Sequence, residues 1–427
     1  MLKKSKAGII SVLLIFTQLM IAQNNTNSPY TLYRYGDLAD RSFGTGRAMG
    51  GVGYGLRVKN QINPMNPASV TYMDSLTFLF DAGASIQFSY FKDGTNTQND
   101  INGNIEYLAM QFKLANRLYM GLGMMPYSYV GYNFGAVDEN EAGTLYSESY
   151  SGTGGLNQLY AGLGYELWKQ RLSVGANVSY LFGDITHAKT IILSGNAFNS
   201  YRQQQYRIKD LKYDFGLQYT HPVSKTESFT LGLAFSPKID VGTKYYETTL
   251  LQDASSSTIE SNIDTIQGKK FGLPNSYGVG ISYTKANKLM LAADFLYEEW
   301  KDVSFYERNT ITAQSAVSTS TNCEFNNRYK IAVGGEFLPD HMSRNYFGRV
   351  KYRAGLHYGN SYLKIKDAGY DEYGASVGFG LPMVDGRSYI NLGLEYVKRA
   401  SSLIDEQYFR ITINVNFNEF WFFKRKI

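Results

Sequence analysis

Phe409-Arg410-Ile411-Thr412-Ile413-Asn414-Val415-Asn416-Phe417 decides the fold class, because apolar and polar residues alternate through it without a slip. Successive side chains of an extended strand point to opposite faces, so this stretch carries one apolar and one polar face. The pattern recurs at Leu172, Val174, Ala176, Val178 and Tyr180 against Ser173, Gly175, Asn177 and Ser179. It recurs again through Tyr277, Val279, Ile281 and Tyr283, and through Tyr373, Ala375, Val377, Phe379 and Leu381. Soluble β-sandwiches alternate in the same way, so the connections must separate the two classes. Tight links at 115–117, 169–171, 285–288 and 384–386, with longer ones at 221–228 and 339–347, alternate with mostly longer polar stretches. Those stretches are Asn133–Thr144, Thr190–Gln204, Leu250–Lys269 and Glu307–Asn322. Short turns on one rim and long loops on the other indicate an all-β, transmembrane antiparallel β-barrel, here of about 14 strands. Strands such as Leu76–Lys92 and Leu289–Tyr306 exceed the roughly 9 to 11 residues that cross tilted, so they are expected to project beyond the membrane.

The rest of the chain agrees with a barrel. The 427 residues include 36 Tyr, 25 Phe and 42 Gly but only 9 Pro, and Tyr and Phe are both strand formers and interface anchors. Lys3, Lys4 and Lys6 precede an apolar run from Ala7 to Ile21, after which small Ala22 gives way to polar Gln23, Asn24 and Asn25. That order predicts a secretory signal peptide over 1–22. Beyond it no apolar run is long enough for a membrane helix. The single Cys323 rules out an internal disulfide.

Enzyme chemistry finds no foothold. His187, His221, His341 and His357 are scattered without metal-ligand spacing, and no Gly-x-Ser-x-Gly elbow is present. No catalytic residue and no cofactor is expected. The net charge of +5 is modest and spread out, which gives no support to nucleic-acid binding.

Two regions carry the functional reading. Residues 23–75 differ in texture from the barrel expected over 76–417. They hold Arg41-Ser-Phe-Gly-Thr-Gly-Arg-Ala-Met-Gly-Gly-Val-Gly-Tyr-Gly55 and then Asn63-Pro-Met-Asn-Pro-Ala-Ser69. Glycines allow close backbone approach, as a compact hatch inside a barrel needs. A dinucleotide loop would require a preceding strand and a following amphipathic helix, and neither is there. On the polar strand face lie Lys212, Asp214, Asp294, Glu336, Arg353, Glu395 and Arg410. Facing the lumen, they could line a hydrated path or form an internal salt-bridge network, since polar interiors occur in both channels and plugged barrels.

Three separated stretches resemble the FadL-type outer-membrane transporters of long-chain fatty acids and other hydrophobic compounds. Gly46-Arg47-Ala48-Met49-Gly50 followed by Asn66-Pro67-Ala68-Ser69 resembles that family's hatch. Leu118-Tyr-Met-Gly-Leu-Gly-Met-Met-Pro-Tyr127 is similar to its third strand, which bends inward and opens the wall sideways. Leu273-Pro274, Tyr277–Tyr283, Asp294 and Trp300 resemble its mid-barrel pattern. The resemblance implies an outer-membrane protein taking up a hydrophobic small molecule, with Asn66, Pro67 and Ala68 as the gate. It places a lateral opening at Gly121, Gly123, Met125 and Pro126, and makes outer-membrane lipid and a hydrophobic ligand the partners. A bend there is physically reasonable, because Pro126 has no amide donor and Gly121 and Gly123 weaken the strand. The family's barrels commonly end on an aromatic residue, whereas here 418–427 add an aromatic and basic tail expected on the periplasmic side. Family relatives also act as accessory barrels in secretion or assembly machines, which gives the alternative: a non-transporting subunit with an outer-membrane protein partner.

Overall fold

The computed structural model describes residues 25–420 apart from 60, 95, 140–142, 144, 170, 194–198, 254–256, 287, 306–322 and 366–367, and leaves the side chains of 266–270 undescribed. The expected signal peptide, the Glu307–Asn322 loop and residues 421–427 of the expected tail lie outside the described residues, whereas Asn418–Phe420, expected in the tail, belong to the last strand.

Fourteen antiparallel strands close a barrel. The first six are β1 (Thr77–Asp93), β2 (Asn96–Ala115), β3 (Leu118–Glu139), β4 (Leu145–Trp168), β5 (Leu172–Leu193) and β6 (Asn199–Pro222). Strands β7 (Glu227–Ser236 with Ile239–Gln252) and β8 (Thr258–Leu273 with Ser276–Lys285) are each interrupted once. Then follow β9 (Leu289–Glu298), β10 (Arg328–Phe337), β11 (Lys351–Asn360), β12 (Asp371–Pro382), β13 (Tyr389–Ala400) and β14 (Asp405–Phe420). Closure comes from β14 against β1, in register from Phe420↔Thr77 to Asp405↔Lys92. Both barrel ends therefore sit on the rim of tight turns.

Alternation sorts the faces as a barrel in lipid requires. Val178, Ile281, Val377, Phe409 and Ile413 point outward and are exposed, while Asn177, Ser282, Ser376, Thr412 and Asn414 point inward and are buried. The two interruptions have a common cause: Pro237 and Pro274 cannot donate to the ladder and fall side by side, between Ser236↔Ser276 and Ile239↔Leu273. Strand β6 spans the break, pairing below it through Phe215–Pro222 and above it through Asn199–Ile208.

Two expectations need correcting. Much of the polar stretches at Asn133–Thr144, Thr190–Gln204 and Leu250–Lys269 is not loop but strand, since β3 to β8 continue far past the apolar belt. Above the membrane both faces of a strand meet water or polar neighbours, so alternation fades although the ladder persists. Conversely β9 ends at Glu298 rather than continuing to Tyr306. Trp300 enters a short 3₁₀ turn, is fully buried, and donates its indole N–H to Glu298 at 3.0 Å, which turns the chain into the lumen.

Candidate functional site

Residues 25–74 fold within the barrel, and what they touch defines the site. The glycine-rich stretch forms a short helix over Gly44–Arg47 and a tight loop through Gly55. Asn66 starts a 3₁₀ turn over Pro67–Thr71, capping it by accepting from Ala68 N at 3.1 Å. Asn66, Pro67 and Ala68 are all buried. The Asn66 amide nitrogen donates to Tyr54 O (3.0 Å) within the hatch and to Leu217 O (3.2 Å) and Leu233 O (3.3 Å) on β6 and β7. The wall comes close enough because it has glycine there. A Cβ on Gly216 would fall 2.2 Å from Asn66 Oδ1, and one on Gly232 would fall 1.8 Å from Tyr54 O.

Of the seven polar residues on the inward strand face, six are buried and Arg410 is half-buried, and they fall into separate clusters. Asp214 contacts Lys212 and Ser236 on the wall and Arg41 of the hatch, the last at 3.0 Å. Asp294 accepts from the hatch amides of Gly53 (2.5 Å) and Tyr54 (2.7 Å). Glu336 pairs with Arg353 (2.7 Å) and Lys351 (3.0 Å), and Arg353 also donates to Asn391. Glu395 pairs with Arg410 at 2.8 Å, and Arg410 donates to Gln87. Each carboxylate among them has a cation or amide partner, and two of these clusters attach the hatch directly.

Other attachments were not foreseen from the residues alone. Arg47 forms a buried pair with Glu106 at 2.8 Å, and Asp40 pairs with Lys330 at 2.8 Å. Burial alone would raise the Asp40 pKa, but Lys330 and Arg47 outweigh it and hold the carboxyl far below the usual range. Within the wall Asp81 accepts from Tyr107, Asn414 and Asn416 at 3.0 to 3.1 Å, and the Tyr107 hydroxyl in turn accepts from Gly44 N of the hatch at 3.1 Å. The hint was that Asp40 and Arg41 lead into the glycine-rich stretch and Arg47 lies within it. Their partners lie far along the chain on strand faces whose register the sequence does not print.

The residues expected at the lateral opening all lie on β3. Gly121 and Gly123 sit in its paired lower part, opposite Gln111 and Ala109. Gly123 leaves room for the Tyr160 ring, 2.7 Å from where its Cβ would stand. Pairing of β2 with β3 ends at Leu108↔Met124. Beyond it Met125 and Pro126 are buried, and a register shift on the β4 side falls between Pro126 and Ser128. The freed edge of β3 is taken up by the hatch. Asp37 and Leu38 pair with Tyr129 and Ser128, Ala39 N donates to Tyr127 O at 3.0 Å, and Thr31 Oγ1 bonds both Gly131 O and Gly131 N.

Beyond the glycine-rich part of the hatch, described side chains of hatch and wall pack across the lumen. Tyr35, Trp300, Phe305, Phe325 and Tyr362 stack together, with the ring pairs Trp300–Tyr362 at 4.7 Å and Tyr35–Phe305 at 5.2 Å. Wall residues Tyr132, Leu156, Ile185, Tyr206, Tyr245 and Phe271 close around them. Cys323 is buried in the same cluster. Small spaces of about 20, 50, 50 and 70 Å³ remain between hatch and wall. A depression of about 760 Å³ lies open at the loop rim among Asn326, Asn360, Asp371, Lys398, Ser401 and Asp405, and it is polar. No group of His, Cys, Asp or Glu suited to a metal occurs among the described residues.

A closed 14-stranded barrel whose interior holds its own N-terminal segment belongs to the class of hatch-filled transmembrane barrels. Within that class the chain belongs to the BamG family, whose model matches residues 1–427. No curated protein sequence matches it. Among solved structures it is similar to the Pseudomonas putida toluene transporter TodX, with TM-score 0.59 and 15% identity over 90% of this chain and 100% of that one. A Pseudomonas aeruginosa FadL homologue gives TM-score 0.58 and 13% identity over 89% and 99%. The Ralstonia pickettii toluene transporter TbuX gives 0.55 and 16% over 88% and 98%. At such identities the likeness is one of fold. The resemblance read from the motifs thus holds for the architecture, and the family is BamG. These fold neighbours are channels and transporters, not enzymes.

Proposed function

We propose that this chain is an occluded accessory barrel: a non-transporting subunit that resides in the outer membrane after loss of residues 1–22 and serves as a scaffold for protein partners there. The observation that carries this reading is the filled lumen. Small-molecule sites are mostly apolar cavities of roughly 300 to 1,000 Å³, whereas among the described residues the spaces found between hatch and wall are about 20 to 70 Å³ and the depression of about 760 Å³ at the loop rim is open and polar. Buried pairs such as Arg47–Glu106 would have to break for the hatch to move, and stranding one partner of a buried pair costs about 3 to 5 kcal/mol. Purification from native membranes under mild detergent tests the reading. A stoichiometric complex with other outer-membrane proteins supports it, and a chain that emerges alone with bound lipid or fatty acid overturns it.

A second reading is favoured by one observation, the β2–β3 break. In it the chain takes up hydrophobic small molecules such as long-chain fatty acids. Asn66, Pro67 and Ala68 are then the gate, and cargo leaves sideways past Gly121, Gly123, Met125 and Pro126. The polar lining behind the break, with Arg47, Glu106, Gln87 and Arg410 around one small space, speaks against a greasy cargo on that path.

A further inference from the structure

The break between β2 and β3 leaves two edges, and they are not equivalent. The β3 edge is occupied, because Asp37–Leu38 pair with it and Thr31 bonds Gly131. The β2 edge from Gly103 to Tyr107 has β1 on one side, and among the described residues no strand pairs with the other. Its outward side chains remain lipid-facing: Ile101 is 60% and Ile105 59% exposed, in line with Leu108 below them. On β3 the outward row stops at Met124, since Met125 and Pro126 are buried as the strand turns inward. The stretch therefore combines an apolar outer face with an open backbone edge inside the apolar belt, where lipid offers no hydrogen bonds and an open sheet edge does not persist. Inside the gap, side chains answer only part of the need. Asn104 donates to Asn25 O at 2.9 Å, and Glu106 is committed to Arg47.

We infer that the β2 edge at Gly103–Tyr107 is a strand-addition site, which takes an extended transmembrane strand of another outer-membrane protein. Backbone hydrogen bonds from such a strand would satisfy the edge, and its alternating side chains would continue the lipid-facing row beside Ile101 and Ile105 while meeting the polar gap on the other face. The hatch contributes by holding β3 inward, which keeps the neighbouring edge from closing the ladder. This inference rests on the scaffold reading and adds the place and manner of contact.

The test is photo-crosslinking in native membranes, with p-benzoylphenylalanine introduced singly at Ile101, Ile105 and, on the far wall, Val333, each variant first checked for the heat-modifiable migration of a folded barrel. Expected are protein adducts from Ile101 and Ile105 to one partner, at sites about four residues apart along one of its transmembrane strands, since both probes face the same side of one strand. Val333 should give lipid adducts. If Ile101 and Ile105 yield lipid adducts alone, or adducts without that spacing, strand addition is wrong. Should the chain nonetheless purify with its partners, the scaffold reading survives that failure. If it purifies alone, both fall together.

Discussion

Asn66 does locally what the hatch does as a whole, joining two pieces of backbone that sequence places far apart. Its amide nitrogen is shared among Tyr54 O, Leu217 O and Leu233 O, and its oxygen holds the turn at Ala68. Leaving buried acceptors without their donor costs about 1 to 3 kcal/mol each, so Asn66→Ala should destabilise the folded protein by about 2 to 4 kcal/mol. A lower midpoint for urea unfolding in detergent, with the barrel still assembled, is the expected result. An unchanged midpoint would show that these contacts are dispensable. From the sequence, Asn66 could be read as part of the hatch's gate. That its targets lie on β6 and β7, rather than at the bend of β3, was not legible, because it depends on glycines at 216 and 232 coming face to face with the hatch. The charged residues divide in the same way. Alternation placed Lys212, Asp214 and Arg410 on the inner face, but it could not say that Arg41 completes the Asp214 cluster or that Gln87 receives Arg410.

At the scale of elements, strands were legible wherever one face meets lipid and the other does not, as in β14 and the turn-rim half of β5. They were illegible above the belt, where Thr190–Leu193 and Asn199–Gln204 continue β5 and β6 on ladder hydrogen bonds and polar side-chain contacts such as Arg202–Glu247, without an apolar–polar alternation. Pro126, which has no amide donor, was readable as a place where a ladder bond is lost, and a register shift falls beside it. The occupant of the freed β3 edge was not readable, since Asp37–Leu38 is only two residues long. Thr31 is the test of that element. Its hydroxyl donates to Gly131 O (3.0 Å) or Ser28 O (2.7 Å) and accepts from Gly131 N (3.2 Å). Thr31→Val keeps the shape and removes these bonds, at about 1 to 3 kcal/mol for the buried groups left behind. Faster proteolysis within Ser28–Asp37 on an intact barrel is expected. Equal protection would mean that β3 is held inward by something other than the hatch.

For the whole molecule, the question is whether the interior is a passage or a core. Ile413 faces outward and is exposed, so Ile413→Arg should cost assembly about 2 to 4 kcal/mol near the bilayer midplane. In an open lumen Asn414→Arg next to it would be mild. Here Asn414 donates to Asp81 and lies against Gly44, whose Cβ would stand 1.8 Å from its side-chain oxygen. Both substitutions should therefore impair the folded barrel, read as loss of the heat-modifiable band. A well-folded Asn414→Arg protein would indicate unused space beside the hatch.

The most direct measurement is uptake of a labelled long-chain fatty acid by outer-membrane vesicles with and without this chain, repeated after tethering the hatch. Ala48→Cys with Gly393→Cys is the tether, once the Thr412 hydroxyl, 2.4 Å from the position a Cβ on Gly393 would take, turns aside: the Ala48 Cβ lies 4.0 Å from that same position, within the roughly 3.5 to 4.5 Å that a disulfide spans. An occluded scaffold gives the same uptake in all three vesicle preparations. Uptake that requires the chain and stops when the tether is oxidised would contradict it.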